Sequence, residues 1–211
     1  MRPEGRVRKG SPLQAILLGI DRLSAFVGKL FAWCILLLTG VICYEVFARY
    51  LFRNPTGWAF DVSYMLYGTL FMMAGAYTLS RNGHVRADFA YRLMPPKRRA
   101  TLDLTLYVIF FLPAMIGMVY FGWHFFLLSY AQNEASSISP DGPYIWPFKF
   151  VIPFASAMVL LQGLAEMARC VICLRDGDFP PKEHDVREME EVALELAAQQ
   201  FNQTQAKGNT A

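Results

Sequence analysis

The sequence predicts an all-α membrane protein: four transmembrane helices preceded by an amphipathic interfacial helix, with both termini on the cytoplasmic side. Three observations predict it. Of 211 residues, 55% are hydrophobic and only 18% charged, and the charges are clustered so that four long neutral runs remain. Trp and Tyr gather at the ends of those runs. Lys and Arg are spread very unevenly over the segments between them.

The neutral runs lie between Lys29 and Glu45, Asp61 and Arg81, Asp103 and Glu134, and Lys149 and Glu166. A spanning helix needs about 20 residues, each rising about 1.5 Å, to cross about 30 Å of hydrocarbon. The second and third runs suffice alone. The first and fourth reach that length only by carrying a carboxylate near one end. Glu45 has Arg49 four residues on, and Glu166 has Arg169 three residues on, spacings at which helical side chains meet. A charge at a helix end can snorkel to the interface. The spans are therefore placed at about residues 30–48, 58–79, 104–130 and 150–174, with Pro113 expected to kink the third. A soluble bundle of helices apolar on every side is the alternative, and runs of this length argue against it.

Trp58, Tyr77, Tyr107, Trp123, Tyr130, Tyr144 and Trp146 lie close to the run ends, where amphipathic rings prefer the headgroup layer. Orientation follows from the basic residues. Residues 1–29 hold six Lys and Arg, residues 80–103 another six, and residues 166–211 five; Arg49, Arg53 and Lys149 are the three on the other side. Seventeen of twenty on one side makes that side cytoplasmic. The net charge of +3 then reads as topology and not as affinity for nucleic acid.

Residues 1–29 form a cytoplasmic basic segment and amphipathic helix. Leu13, Ile16, Leu17, Ile20, Leu23, Phe26, Val27 and Leu30 fall at helical spacing, with Asp21, Arg22, Ser24 and Gly28 off that stripe. This is the pattern of a helix lying in the interface. The apolar stretch is too short for a signal peptide and offers no small-residue cleavage site, so it is expected to be retained. Residues 30–174 make the four-helix domain. Residues 175–211 are a cytoplasmic acidic tail whose Val186, Met189, Ala193 and Leu196 share one stripe. Outside, Ser136 to Pro143 is a turn-rich loop leading to Trp146-Pro147.

Candidate chemistry is sparse. Cys170-Val-Ile-Cys173 is a CxxC that a thiol oxidoreductase could use, but the topology puts it in a reducing compartment, where two packing residues are the plainer reading. Cys34 and Cys43 read the same way. A haem-carrying anchor would need two His at one depth, whereas His84, His124 and His184 fall in different segments. Acids inside a membrane are functional candidates by default, yet Glu45, Asp61 and Glu166 all fall near span ends, with Arg49 and Arg169 as expected partners of the two glutamates. No catalytic residue, cofactor site or metal site is expected.

Trp58-Ala59-Phe60-Asp61, the run from Leu66 to Leu79, and Asn82-Gly83-His84-Val85-Arg86-Ala87-Asp88 together resemble the small membrane subunit of tripartite ATP-independent periplasmic (TRAP) transporters, the DctQ-like family. The resemblance continues through Arg98 and Asp103, Phe110-Phe111-Leu112-Pro113, Glu134, Ser136 and Ser137, Trp146-Pro147-Phe148-Lys149, Ile152-Pro153 and Leu160-Leu161-Gln162-Gly163. It is nearest to the mannitol/chloroaromatic-type branch, with Asp61 where Glu is commoner. The resemblance implies a scaffold for a large elevator permease subunit in the bacterial inner membrane. It also implies a periplasmic substrate-binding protein as second partner, and secondary, sodium-coupled uptake of an organic acid by the whole complex. The residues expected to pin helices or meet partners are Glu45, Arg49, Trp58, Asp61, His84, Arg86, Asp88, Glu134, Lys149 and Glu166. The alternative is a membrane anchor or thiol-redox component of an electron-transfer complex.

Overall fold

The computed structural model describes residues 12–81, 94–139 and 142–177. Among them the regular structure is helical, apart from a single antiparallel bridge between Ala135 and Tyr144. The helices are α1 (Pro12–Ala32), α2 (Cys34–Tyr50), α3 (Ala59–Ser80), α4 (Pro96–Leu106), α5 (Leu112–Ala131) and α6 (Trp146–Asp176). Trp33 interrupts α1 and α2, and a π-helical turn, Tyr107–Phe111, joins α4 to α5.

Three helical stretches are long and apolar enough to cross a membrane: Leu13–Tyr50, Pro96–Ala131 and Trp146–Asp176. Helix α3, 22 residues long and read from sequence as the second span, is not among them. Its composition explains this, because Asp61, Tyr64, Tyr67, Tyr77 and several Gly, Ser and Thr dilute its apolar residues. It compensates by packing against α1, α2 and α6, while α6 also takes α4 and α5 on its other side. α3 and α6 are thus the centre, and α2 and α5 flank them.

The core is inverted relative to a soluble bundle. Leu36, Leu37, Phe47, Phe71, Phe110 and Phe121 are exposed on helix faces, whereas Arg169, Gln162 and Asp61 are among the largest fully buried side chains. Apolar rings belong in hydrocarbon, and polar groups must find partners inside the protein. Helix α1 follows the same logic. Its apolar stripe at Leu13, Ile16, Leu23, Phe26 and Leu30 is exposed, while Asp21 and Ser24 are buried and Gly28 faces Tyr77 of α3. Of the polar side expected to face water, Asp21 and Ser24 are turned into the protein, together with Leu17 of the stripe, while Arg22 stays exposed.

Just before Pro113 the helix departs from α geometry. Proline has no N–H to offer the carbonyl four residues back, and its ring crowds that carbonyl. The helix widens one turn earlier, so that the N–H of Leu112 reaches the carbonyl of Tyr107, five residues away. The widened turn sets the Phe111 ring against Gly163 of α6.

Candidate functional site

The expected ion pairs are both formed. On α2, Glu45 Oε1 accepts from Arg49 Nε at 2.9 Å and Nη2 at 2.6 Å. Its other oxygen accepts the backbone N–H of Thr56 at 3.1 Å and the Thr56 hydroxyl. Glu45 therefore ties the α2–α3 connection to the helix that precedes it. Tyr44 stacks on Trp58 at 5.9 Å beside this tie, which places Trp58 at the same corner.

On α6, Glu166 accepts from Arg169 Nη1 at 2.5 Å. Sequence reasoning missed the third member, because Asp21 Oδ2 on α1 accepts from Arg169 Nη2, also at 2.5 Å. Gln162 completes the set. Its Nε2 donates to Asp21 Oδ1 at 2.8 Å, and its Oε1 accepts from the Ser24 hydroxyl at 2.8 Å. Ser24, Gln162 and Arg169 are at most 2% exposed. The signal was present in the sequence, since Asp21 and Ser24 interrupt an otherwise apolar helix, but no local spacing names their partners.

Near the other end, Asp61 lies in the first turn of α3, where the helix dipole favours a carboxylate. It is fully buried, and its Oδ1 accepts from the Ser136 hydroxyl at 2.7 Å. Ser136 also donates its N–H to the Pro143 carbonyl at 3.0 Å, and Ile145 N–H donates to the Glu134 carbonyl at 2.9 Å. These bonds close the α5–α6 connection into a small hairpin.

Glu134 and Lys149 pair with each other across the base of that hairpin, and the Lys149 ammonium also lies 4.0 Å from the centre of the Phe125 ring. The ammonium holds the Glu134 carboxyl below its ordinary value of 4.5. A depressed folded-state value means the tie is fully present above that ordinary value and is lost as pH falls through the depressed one. At neutral pH it is intact.

The CxxC is buried. Cys170 and Cys173 are 3% and 0% exposed and sit against Ala100, with Leu104 and Leu174 around them. We expect both thiols to resist maleimide in folded protein and to react once it is denatured in SDS; rapid reaction of either in the folded state would reopen the redox reading. His124 packs edge-on against Tyr120 at 4.7 Å. His84, Arg86 and Asp88 lie outside the described residues, as do His184, the basic segment before Pro12 and the acidic tail after Gly177. Among the described residues no group of three or more His, Cys, Asp or Glu converges as metal ligands would.

The arrangement thus consists of ties between helices and of caps on their connections. A comparison with curated proteins finds no match to this chain. A family model does match, over residues 38–173, from the second turn of α2 to Cys173 near the end of α6, and its description is tripartite ATP-independent periplasmic transporters, DctQ component. The family is one of inner-membrane transporter subunits and not of enzymes, and the match spans well over half of the chain. The chain belongs to the DctQ family, the small permease subunit of TRAP transporters.

Proposed function

We propose that the chain is a static scaffold for the large elevator subunit of a TRAP transporter. In this reading the complex takes up an organic acid by sodium-coupled secondary transport, receives it from a periplasmic binding protein, and is of the mannitol/chloroaromatic type. The subunit crosses the inner membrane four times, with both termini in the cytoplasm. Helix α3 is the second of these spans: 22 residues rise about 33 Å, and its polar residues are flanked by α1, α2 and α6.

One observation carries the scaffold reading. The buried charged side chains Asp21, Glu166 and Arg169 are spent on one another, and Asp61 on a loop, so they join elements and do not line a path. Glu45 and Arg49, with Trp58 beside them, have the same role at the α2–α3 corner. His84, Arg86 and Asp88 are proposed as cytoplasmic partner contacts on the strength of the family block alone. The exposed apolar faces of α2 and α5 are available to lipid or to the large subunit.

Single cysteines at Ser137 and Asn202 test the topology. An impermeant maleimide applied to intact cells should label the first and spare the second; equal labelling would overturn the orientation. Pull-down of the large subunit tests the role. Asp61→Asn should lower its recovery, whereas full recovery with lost sodium dependence would make this acid part of the coupling path instead.

A further inference from the structure

Of the three basic residues on the side read as external, Arg49 and Arg53 stand at one corner, where α2 ends and the chain turns toward α3. Basic residues are ordinarily kept off that side. The Arg49 side chain is 55% exposed and spends Nε and Nη2 on Glu45, which leaves Nη1 without a partner among the described residues. Arg53 is exposed, and its side chain has no partner among them either. Glu45 cannot serve both cations. Its Oε1 accepts twice from Arg49 and its Oε2 twice from Thr56, which fills the four or so lone-pair sites of a carboxylate. Asp61, the next acid along the chain, is buried and turned to Ser136. The corner therefore keeps an excess positive charge.

Next to Arg49 a groove of about 370 Å³ opens between α2 and α3. Ile42, Val46 and Tyr50, on successive turns of α2, form one wall, and Ala59 and Phe60 of α3 form the other. From Tyr50 to Ile42 the groove descends about 12 Å toward the middle of the bilayer. It is charged at the outer end and aliphatic below, the same order in which a phospholipid presents its phosphate and its chains. The size of the groove also limits what can fill it. A helix is about 10 to 12 Å across with its side chains, so a neighbouring subunit could cover this space but not enter it, whereas a hydrocarbon chain can.

We propose that this groove binds one anionic glycerophospholipid of the outer leaflet, with its phosphate at Arg49, Arg53 adding charge, and an acyl chain along Ile42, Val46 and Phe60. The saturation of Glu45 selects the headgroup. A zwitterionic lipid would bring an ammonium for which the corner has no acceptor, while an anionic one matches the excess positive charge. Bound there, the lipid covers apolar surface of both helices at the end where Glu45 ties them, and so stabilises their pairing. The assignment of depth rests on the four-span reading.

The test is native mass spectrometry of the full chain, delipidated in mild detergent and then given phosphatidylglycerol or phosphatidylcholine with the same acyl chains. One phosphatidylglycerol should be retained, about fivefold more tightly than phosphatidylcholine, the effect of one charge near a membrane surface. That preference should shrink as salt rises. Arg53→Gln, which breaks no tie, should weaken phosphatidylglycerol about fivefold and leave phosphatidylcholine unchanged. Val46→Trp fills the groove and should abolish retention of both, with a monodisperse profile showing that the variant is folded. Equal retention of the two lipids, an unchanged affinity in Arg53→Gln, or a folded Val46→Trp protein that keeps its lipid overturns the site. So does a photoreactive side chain at Val46 that cross-links in native membranes to the large subunit and not to lipid, because the groove would then be a subunit contact. Failure of the spanning reading would look different, since the chain would be recovered from cells without detergent.

Discussion

Replacing Arg169 by methionine should destabilise the folded protein by about 3 to 5 kcal/mol, the cost of leaving buried charge unpaired. The guanidinium is 2% exposed and donates to both Asp21 and Glu166 at 2.5 Å. Removing it leaves two buried carboxylates facing each other, with Gln162 as the remaining donor to Asp21. A drop in the thermal midpoint in detergent, with loss of monodisperse protein, is the expected readout. Replacing Asp21, Glu166 and Arg169 together by apolar residues of similar volume should recover most of the loss, because a buried triad contributes little beyond a well-packed apolar set. An Arg169→Met protein that melts like wild type would show that α1 does not depend on this contact.

Gly163→Ala should destabilise by about 1 to 3 kcal/mol through overpacking, although Gly to Ala inside a helix normally gains about 1 kcal/mol. The added Cβ would lie 2.1 Å from Cε1 and 2.4 Å from Cζ of Phe111, a ring held there by the π turn. In a Phe111→Ala background the same change should become neutral or favourable, since the obstacle is gone. Additive effects of the two substitutions in a thermal or denaturant titration would refute the contact.

What the sequence made legible was local. Glu45 with Arg49 and Glu166 with Arg169 are one turn apart on a helix, so backbone geometry alone brings them together. The neutral runs announced α2, α5 and α6 for the same reason, because hydrophobicity over about 20 residues needs no tertiary context. Asp61 with Ser136 and Asp21 with Arg169, 75 and 148 residues apart, were invisible because only packing decides which distant groups meet. The amphipathic pattern of α1 was read correctly as a helix, yet which face turns inward depends on the solvent. In lipid the polar face is the one that seeks the protein. Glu134 and Lys149 belong with these distant pairs: nothing local joins residues 15 apart across a turn, and the fold of the connection is what brings them together.

The contact between Asp21 and Arg169 also sets an order of events during synthesis. Helix α1 is the first described helix to leave the ribosome, and Gln162, Glu166 and Arg169 are on the last. At roughly 5 to 20 residues per second, the 148 residues between them take on the order of ten seconds or more to appear. Throughout that interval Asp21 and Ser24 lack the partners they have in the finished protein, although the packing of α1 on α3 can already form. The polar lock between the first helix and the last therefore closes only once α6 has arrived.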